Sequence, residues 1–248
     1  MSLLMNDNDG IQGHIVRVKC VGGDVAVNIH ALRAASAHLS ATLYPPMAEV
    51  VLDVTCYGFQ VLVDWLSSGE ISCPEADEEE EEEVDEEEQT EDEDGADETE
   101  KQEDDRIEKI GLLCTAYQTG CTLEVSSRFL DALMDRIIDS VVEPNERTWE
   151  QVIELANVLR EAFEIGSSGR LFCAEWLIHG NMACVERDLE SVYRLAEWVD
   201  DGDDVFRREI LQAGFRGAVA PGSGTLPWEQ DRCRYHEHGV PRGTLRLR

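Results

Sequence analysis

Between Asp77 and Asp105 the chain places 21 Asp or Glu residues and one Lys in 29 positions. Like charges repel along such a run, and almost no apolar side chain is present to collapse it. A segment of that kind cannot offset the entropy of ordering its backbone, so it is expected to stay disordered. The run splits the sequence into two apolar stretches. Either they share one interior across the interruption, or the chain folds as two unrelated pieces.

The formal net charge is −32, and this run supplies −20 of it (21 acidic residues less one Lys), which leaves −12 on the other 219 residues. A surface of that sign argues against direct binding to nucleic-acid phosphates, which takes a basic footprint. No stretch approaches the apolar length of a membrane span, and the N-terminus lacks the order of a signal peptide. Cys20, Cys56, Cys73, Cys114, Cys121, Cys173, Cys184 and Cys233 form no CxxC pair, and several fall on apolar faces. They read as free thiols, which implies an intracellular setting, cytoplasm or nucleus.

Met1 to Gly13 is polar and expected to be flexible. "HIVRVKCV" (His14 to Val21) alternates apolar and polar side chains, as a strand does. Gly22-Gly23 suits a two-residue hairpin turn because both positions take positive φ cheaply. Val25, Val27 and Ile29 give the second strand. From Ala31 the period becomes helical, with Leu32, Ala35, Leu39 and Leu43 on one face, and Pro45-Pro46 ends that helix. "EVVLDV" (Glu49 to Val54) is a third strand. Thr55 caps a helix whose apolar face is Phe59, Leu62, Val63 and Leu66, and Gly69 closes it.

Order is expected to resume near Ile107. A helix there points Ile107, Ile110, Leu113 or Cys114, and Tyr117 inward. The next buries Phe129, Leu130, Leu133, Ile137 and Val141. Beyond Pro144, Thr148 and Gln151 make a capping box for a helix through Val152, Ile153, Ala156, Leu159 and Phe163. "GSSGRLFCAEWLIHG", capped by Ser168, and "DLESVYRLAEWV" read as two more helices, with a shorter piece around Val205 to Leu211. From Gly214 onward a loose tail is expected. The predicted fold class is α+β, a small sheet flanked by helices and followed by a helical extension over residues 143–213.

The order strand, turn, strand, helix, strand, helix, then a helical pair, resembles the BTB/POZ domain. The likeness is carried by "VRVKCVGGDVAVNIH", "ALRAASAHLSATL", "EVVLDV", "YGFQVLVDWLSSGEI" and "IGLLCTAYQTGCTLEVSSRFLDALMDRII". It covers residues 14–142, interrupted by an acidic insert at 74–105; the continuation "GSSGRLFCAEWLIHG" and the "CRYHEHG" tail also resemble variants of this domain common in filamentous fungi. Two features depart from the family pattern: a short step from His30 to Ser36, and Ser67 where tyrosine is common.

The resemblance implies a non-enzymatic protein–protein interaction module that pairs with a second copy through its first helix and N-terminal hairpin. Leu32, Ala35, His38, Leu39 and Leu43 are the expected contact residues. Some BTB domains recruit a cullin-type ubiquitin ligase through an apolar-x-Glu element, and Met47 and Glu49 stand in roughly that place. An alternative partner is a basic protein such as a histone, drawn to the acidic insert by long-range attraction.

Other chemistry finds little support in the residues. His30, at the junction of strand and helix, reads as a structural group bonded to nearby backbone. Cys233, His236 and His238 have ligand spacing for zinc, but a structural site takes four ligands. The fourth would be Cys184, His179 or nothing, and no metal or cofactor is expected. "DDGDD" (Asp200 to Asp204) lacks the later glutamate of a calcium loop. No nucleophile, phosphate-loop or metalloprotease motif is present, so no enzyme is expected. Arg232, Arg234, Arg242, Arg246 and Arg248 make the tail basic, and it is expected to fold back on the acidic insert.

Overall fold

Alternation in the first stretch does what a pleated strand requires. β1 (Ile15–Val21) and β2 (Gly23–Asn28) pair antiparallel, and β3 (Glu49–Thr55) lies parallel to β1, giving the order β2-β1-β3. Val16, Val18, Val25, Val27, Val50, Leu52 and Val54 all point to one buried face. The chain is seen in a computed structural model that describes residues 14–45, 47–72, 95–143, 147–180, 198, 204–219 and 225–236. It is a mixed α and β architecture, a small sheet with mostly helices around it. The flexible segment expected at residues 1–13 and the helix expected from "DLESVYRLAEWV" lie outside the described residues, Trp198 excepted.

The hairpin turns at Gly22 (φ 93°) alone, since Gly23 already pairs with Cys20 in the ladder. Ile29, expected to end β2, instead begins a helix. The single helix expected from Ala31 is two: α1 (Ile29–Ala35) and α2 (Ala37–Thr42). Ser36 breaks them with extended backbone (φ −144°, ψ 131°) and forms an isolated bridge to Val125. Its hydroxyl donates to the Leu123 carbonyl and accepts from the Leu39 amide at 3.0 Å. The Ser126 amide donates to the Ala35 carbonyl at 3.0 Å. The break is held by residues that lie beyond the acidic run.

α3 (Cys56–Ser68) is capped at Thr55, whose hydroxyl accepts from the Gly58 amide at 3.2 Å, and it ends at Gly69 with φ 78°. Gly58 sits against Thr119 so closely that any added side chain would collide with it. That close approach joins α3 to α4 (Gly95–Thr122). α5 (Ser127–Val142) buries Phe129, Leu130, Leu133, Ile137 and Val141 as its periodicity predicts, and Trp65 meets Phe129 with ring centroids 5.2 Å apart. The apolar residues before and after the interruption therefore form one continuous core.

Order resumes earlier than Ile107. α4 is helical from Gly95, so the last eleven residues of the segment expected to be disordered belong to a helix. The physical reason is partnership. Glu103 is buried, 2.5 Å from Arg147 and 3.6 Å from Arg106, and Arg106 also reaches Glu143 and the Ser140 carbonyl. An apolar stripe from Ile107 onward anchors the rest of the helix.

α6 (Trp149–Ala162) has the expected capping box, with Thr148 and Gln151 bonded reciprocally. α7 (Ser168–Glu175) is capped by Ser167 rather than Ser168, through a bond from the Arg170 amide. A wide turn over Trp176–Gly180 follows it. α8 (Asp204–Val219) runs well past the short piece expected at Leu211. α9 (Pro227–Gln230) and a tight helical turn (Arg232–Tyr235) then pack on α7, with Trp228 and Tyr235 buried against Phe172. Residues 225–236, expected to be a loose tail, are held by those two aromatic anchors.

Candidate functional site

The residues expected to meet a second copy separate by burial. Leu32, Leu39 and Leu43 are closed inside the chain's own core, and Ala35 is nearly so. A helix lying on a sheet turns its apolar stripe to the sheet, so the stripe visible in the sequence is the one the fold itself consumes. These four residues cannot reach a partner without opening the fold, which corrects their expected role. His38 alone of that set is exposed. His30 is exposed as well, and the work assigned to it at the strand-to-helix junction is done by Asn28, whose side chain accepts from the His30 amide at 2.8 Å and the Ala31 amide at 3.4 Å. Met47 packs partly buried against the core, and the Glu49 carboxylate lies 2.9 Å from the Lys19 ammonium.

What these elements do present is the outer face of the sheet. Ile15 and Val21, at the two ends of β1, are 59% and 62% exposed, and Val51 of β3 is 72% exposed. Arg17 and Lys19 stand between the two β1 residues. Across the ladder, Arg17 faces Ala26 and Glu49, and Lys19 faces Asp24 and Val51. Tyr44, just before β3, is exposed too. The face therefore mixes aliphatic side chains with charges of both signs. The resemblance points to the hairpin but to none of these residues, because the same alternation that reveals the buried valines makes their neighbours look like ordinary solvent positions.

A second group of charges lies at the C-terminal end of the described chain. Glu175, 1% exposed, accepts from the Tyr235 hydroxyl and from Arg234, both at 2.5 Å. Arg232 lies 2.6 Å from Asp139 and 3.9 Å from Asp135 on α5, and His236 Nε2 is 3.1 Å from Asp135. The hydrogen bond to Asp139 raises the Arg232 pKa, and burial first, then Glu175, pushes the Tyr235 phenol above its ordinary range. The basic tail thus folds back on carboxylates of α5 and α7; Arg242, Arg246 and Arg248 lie outside the described residues. Among the described residues no cluster of three His, Cys, Asp or Glu side chains is placed to hold a metal. Of the zinc candidates, Cys233 is exposed and His236 is engaged with Asp135, while His238 and Cys184 lie outside the described residues.

Three of the thiols are held protonated by their surroundings. Burial pushes Cys173 up to about 12 and Cys114 further still, and Cys20 rises to about 11 through burial, the neighbouring Cys56 and Asp24. A thiol held protonated is a poor nucleophile and a poor metal ligand at neutral pH. No helix among the described residues is long and apolar enough to cross a membrane. No known family, curated protein or solved structure matches the chain.

Proposed function

We propose that this chain is a protein–protein interaction module of the BTB/POZ type that self-associates through the outer face of its N-terminal hairpin. The observation that carries this reading is the pair Ile15 and Val21, two large aliphatic side chains left in water at opposite ends of one strand. Apolar area of that kind is stabilised by leaving water, at about 25 cal/mol per Å² before the costs of association. A two-fold contact places one patch against itself, so the patch has to complement itself in charge as well as shape. Arg17 and Lys19 alternate with Asp24 and Glu49 on this face, which meets that condition on an otherwise strongly acidic chain. The element order and the sequence likeness to BTB/POZ domains point to the same hairpin.

Sedimentation equilibrium of the full chain tests the proposal. It is expected to give twice the chain mass at micromolar concentration, reduced to the chain mass by joint Ile15→Asp and Val21→Asp substitution with an unchanged circular-dichroism spectrum. A native chain that sediments as a monomer at that concentration sinks the reading.

A further inference from the structure

β3 is one of the two edge strands of the sheet, seven residues long, and among the described residues no backbone hydrogen bond is made along its far side. The register fixes which groups face outward. Arg17 lies opposite Glu49 and donates its amide to the Ala48 carbonyl at 3.0 Å, and Lys19 lies opposite Val51. In a parallel ladder the bonds join alternate residues. Val50 and Leu52 therefore turn their amides and carbonyls to β1, while those of Glu49 and Val51 point away from the sheet. The one irregularity in the pairing lies between Lys19 and Val21, so Glu49 to Val51 is regular strand, and Asp53, opposite the irregularity, keeps the outward face that its exposure shows. The register shift and the carboxylates of Glu49 and Asp53 are devices that protect an edge, but Val51, 72% exposed between those carboxylates, leaves an apolar side chain in its middle.

We propose that the open edge of β3 takes up an extended segment of another protein as a fourth strand, selecting one with basic side chains two residues either side of an apolar one. Glu49, Val51 and Asp53 stand on the same face of the strand, all exposed. A strand laid alongside sets its own alternate residues opposite them, where opposite charges attract and like charges repel. The complement of acid, apolar, acid is base, apolar, base. The same rule disfavours a second copy here. Two β3 strands paired antiparallel about Val51 bring Glu49 against Asp53 at both ends, and a parallel pairing opposes each carboxylate to itself. Main-chain bonds supply the affinity and the flanking charges the selection, as in other strand additions.

The full-length chain is titrated against a fluorescent heptapeptide, Thr-Lys-Thr-Ile-Thr-Lys-Thr, with anisotropy as the readout. Saturable binding is expected, at least tenfold tighter than for the same peptide with glutamate in place of both lysines. Joint Glu49→Lys and Asp53→Lys substitution is expected to invert that preference. Methylating the peptide's amides on every second residue leaves the protein untouched. It is expected to abolish binding in one phase of alternation and spare it in the other. Val51→Pro removes an outward donor while keeping the bonds to β1, and is expected to weaken binding at least tenfold with an unchanged melting temperature. Equal binding in both methylation phases means mere charge attraction and overturns the proposal. So does a doubled mass abolished by Val51→Pro, which would show that a second copy occupies the edge. The monomeric Ile15→Asp, Val21→Asp chain is expected to bind the peptide undiminished, so failure here and failure of hairpin self-association read out separately.

Discussion

Ser36 shows how much one hydroxyl can settle. It is buried, ends α1, caps α2, and ties both to the Leu123 carbonyl. Ser36→Ala removes a donor and an acceptor at once and leaves a buried carbonyl and amide unpaired, which costs about 1–3 kcal/mol each when unrelieved. The variant is expected to fall in urea midpoint by that order, with no change in the slope of the transition. The buried thiols make a second prediction at this scale. Unfolded, they titrate near 9.0; folded, Cys173 is held up to about 12 and Cys114 higher. A raised folded pKa gives stability that is complete below pH 9 and declines as pH climbs toward the folded value, by about 1.4 kcal/mol per pH unit for each thiol. Urea unfolding between about pH 8.5 and about pH 9.5, below the ordinary pKa of tyrosine, is expected to show that fall, and a Cys114→Ala, Cys173→Ala chain to lose most of it.

Among the elements, α2 separates the two meanings of an apolar stripe. Leu39 is wholly buried, so Leu39→Ala is expected to destabilise the isolated chain by about 2–5 kcal/mol. Thermal melts at two protein concentrations check this. A loss that vanishes on dilution would place Leu39 at an interface instead of in the core. Periodicity made the helices and strands legible: α5 buries the five residues its spacing names, and the α6 capping box stands where Thr148 and Gln151 announce it. It did not reveal which apolar positions were spare. Leu32 and Leu43 look the same in sequence whether they cover a sheet or meet a partner, because amphipathicity records only that some apolar surface is opposite.

For the whole molecule, the C-terminal segment decides how much of the helical half is sealed. Trp228 and Tyr235 are buried against Phe172, and Arg232, Arg234 and His236 meet Asp135, Asp139 and Glu175. Fully burying an aromatic side chain of this size contributes about 1.5–3 kcal/mol, whereas the part-exposed ion pairs add little. A chain ended before Thr225 is therefore expected to lose several kcal/mol in urea, and the loss is expected to change little between low and high salt. A loss confined to low salt would show that charge, and not the two aromatic rings, holds the segment.

Local pattern was enough to determine the strands, most of the helices and the burial of their apolar faces, because the repeat of side-chain direction is a property of the backbone at each residue. The tertiary structure alone decided three things. Ser36 breaks a continuous helical pattern because its partners lie 87 residues away. Helix α4 begins inside the acidic run because Arg147 neutralises Glu103. Residues 225–236 are ordered because α7 and Phe172 receive them. In each case the free energy comes from a group far off in the chain, and no local period carries word of it.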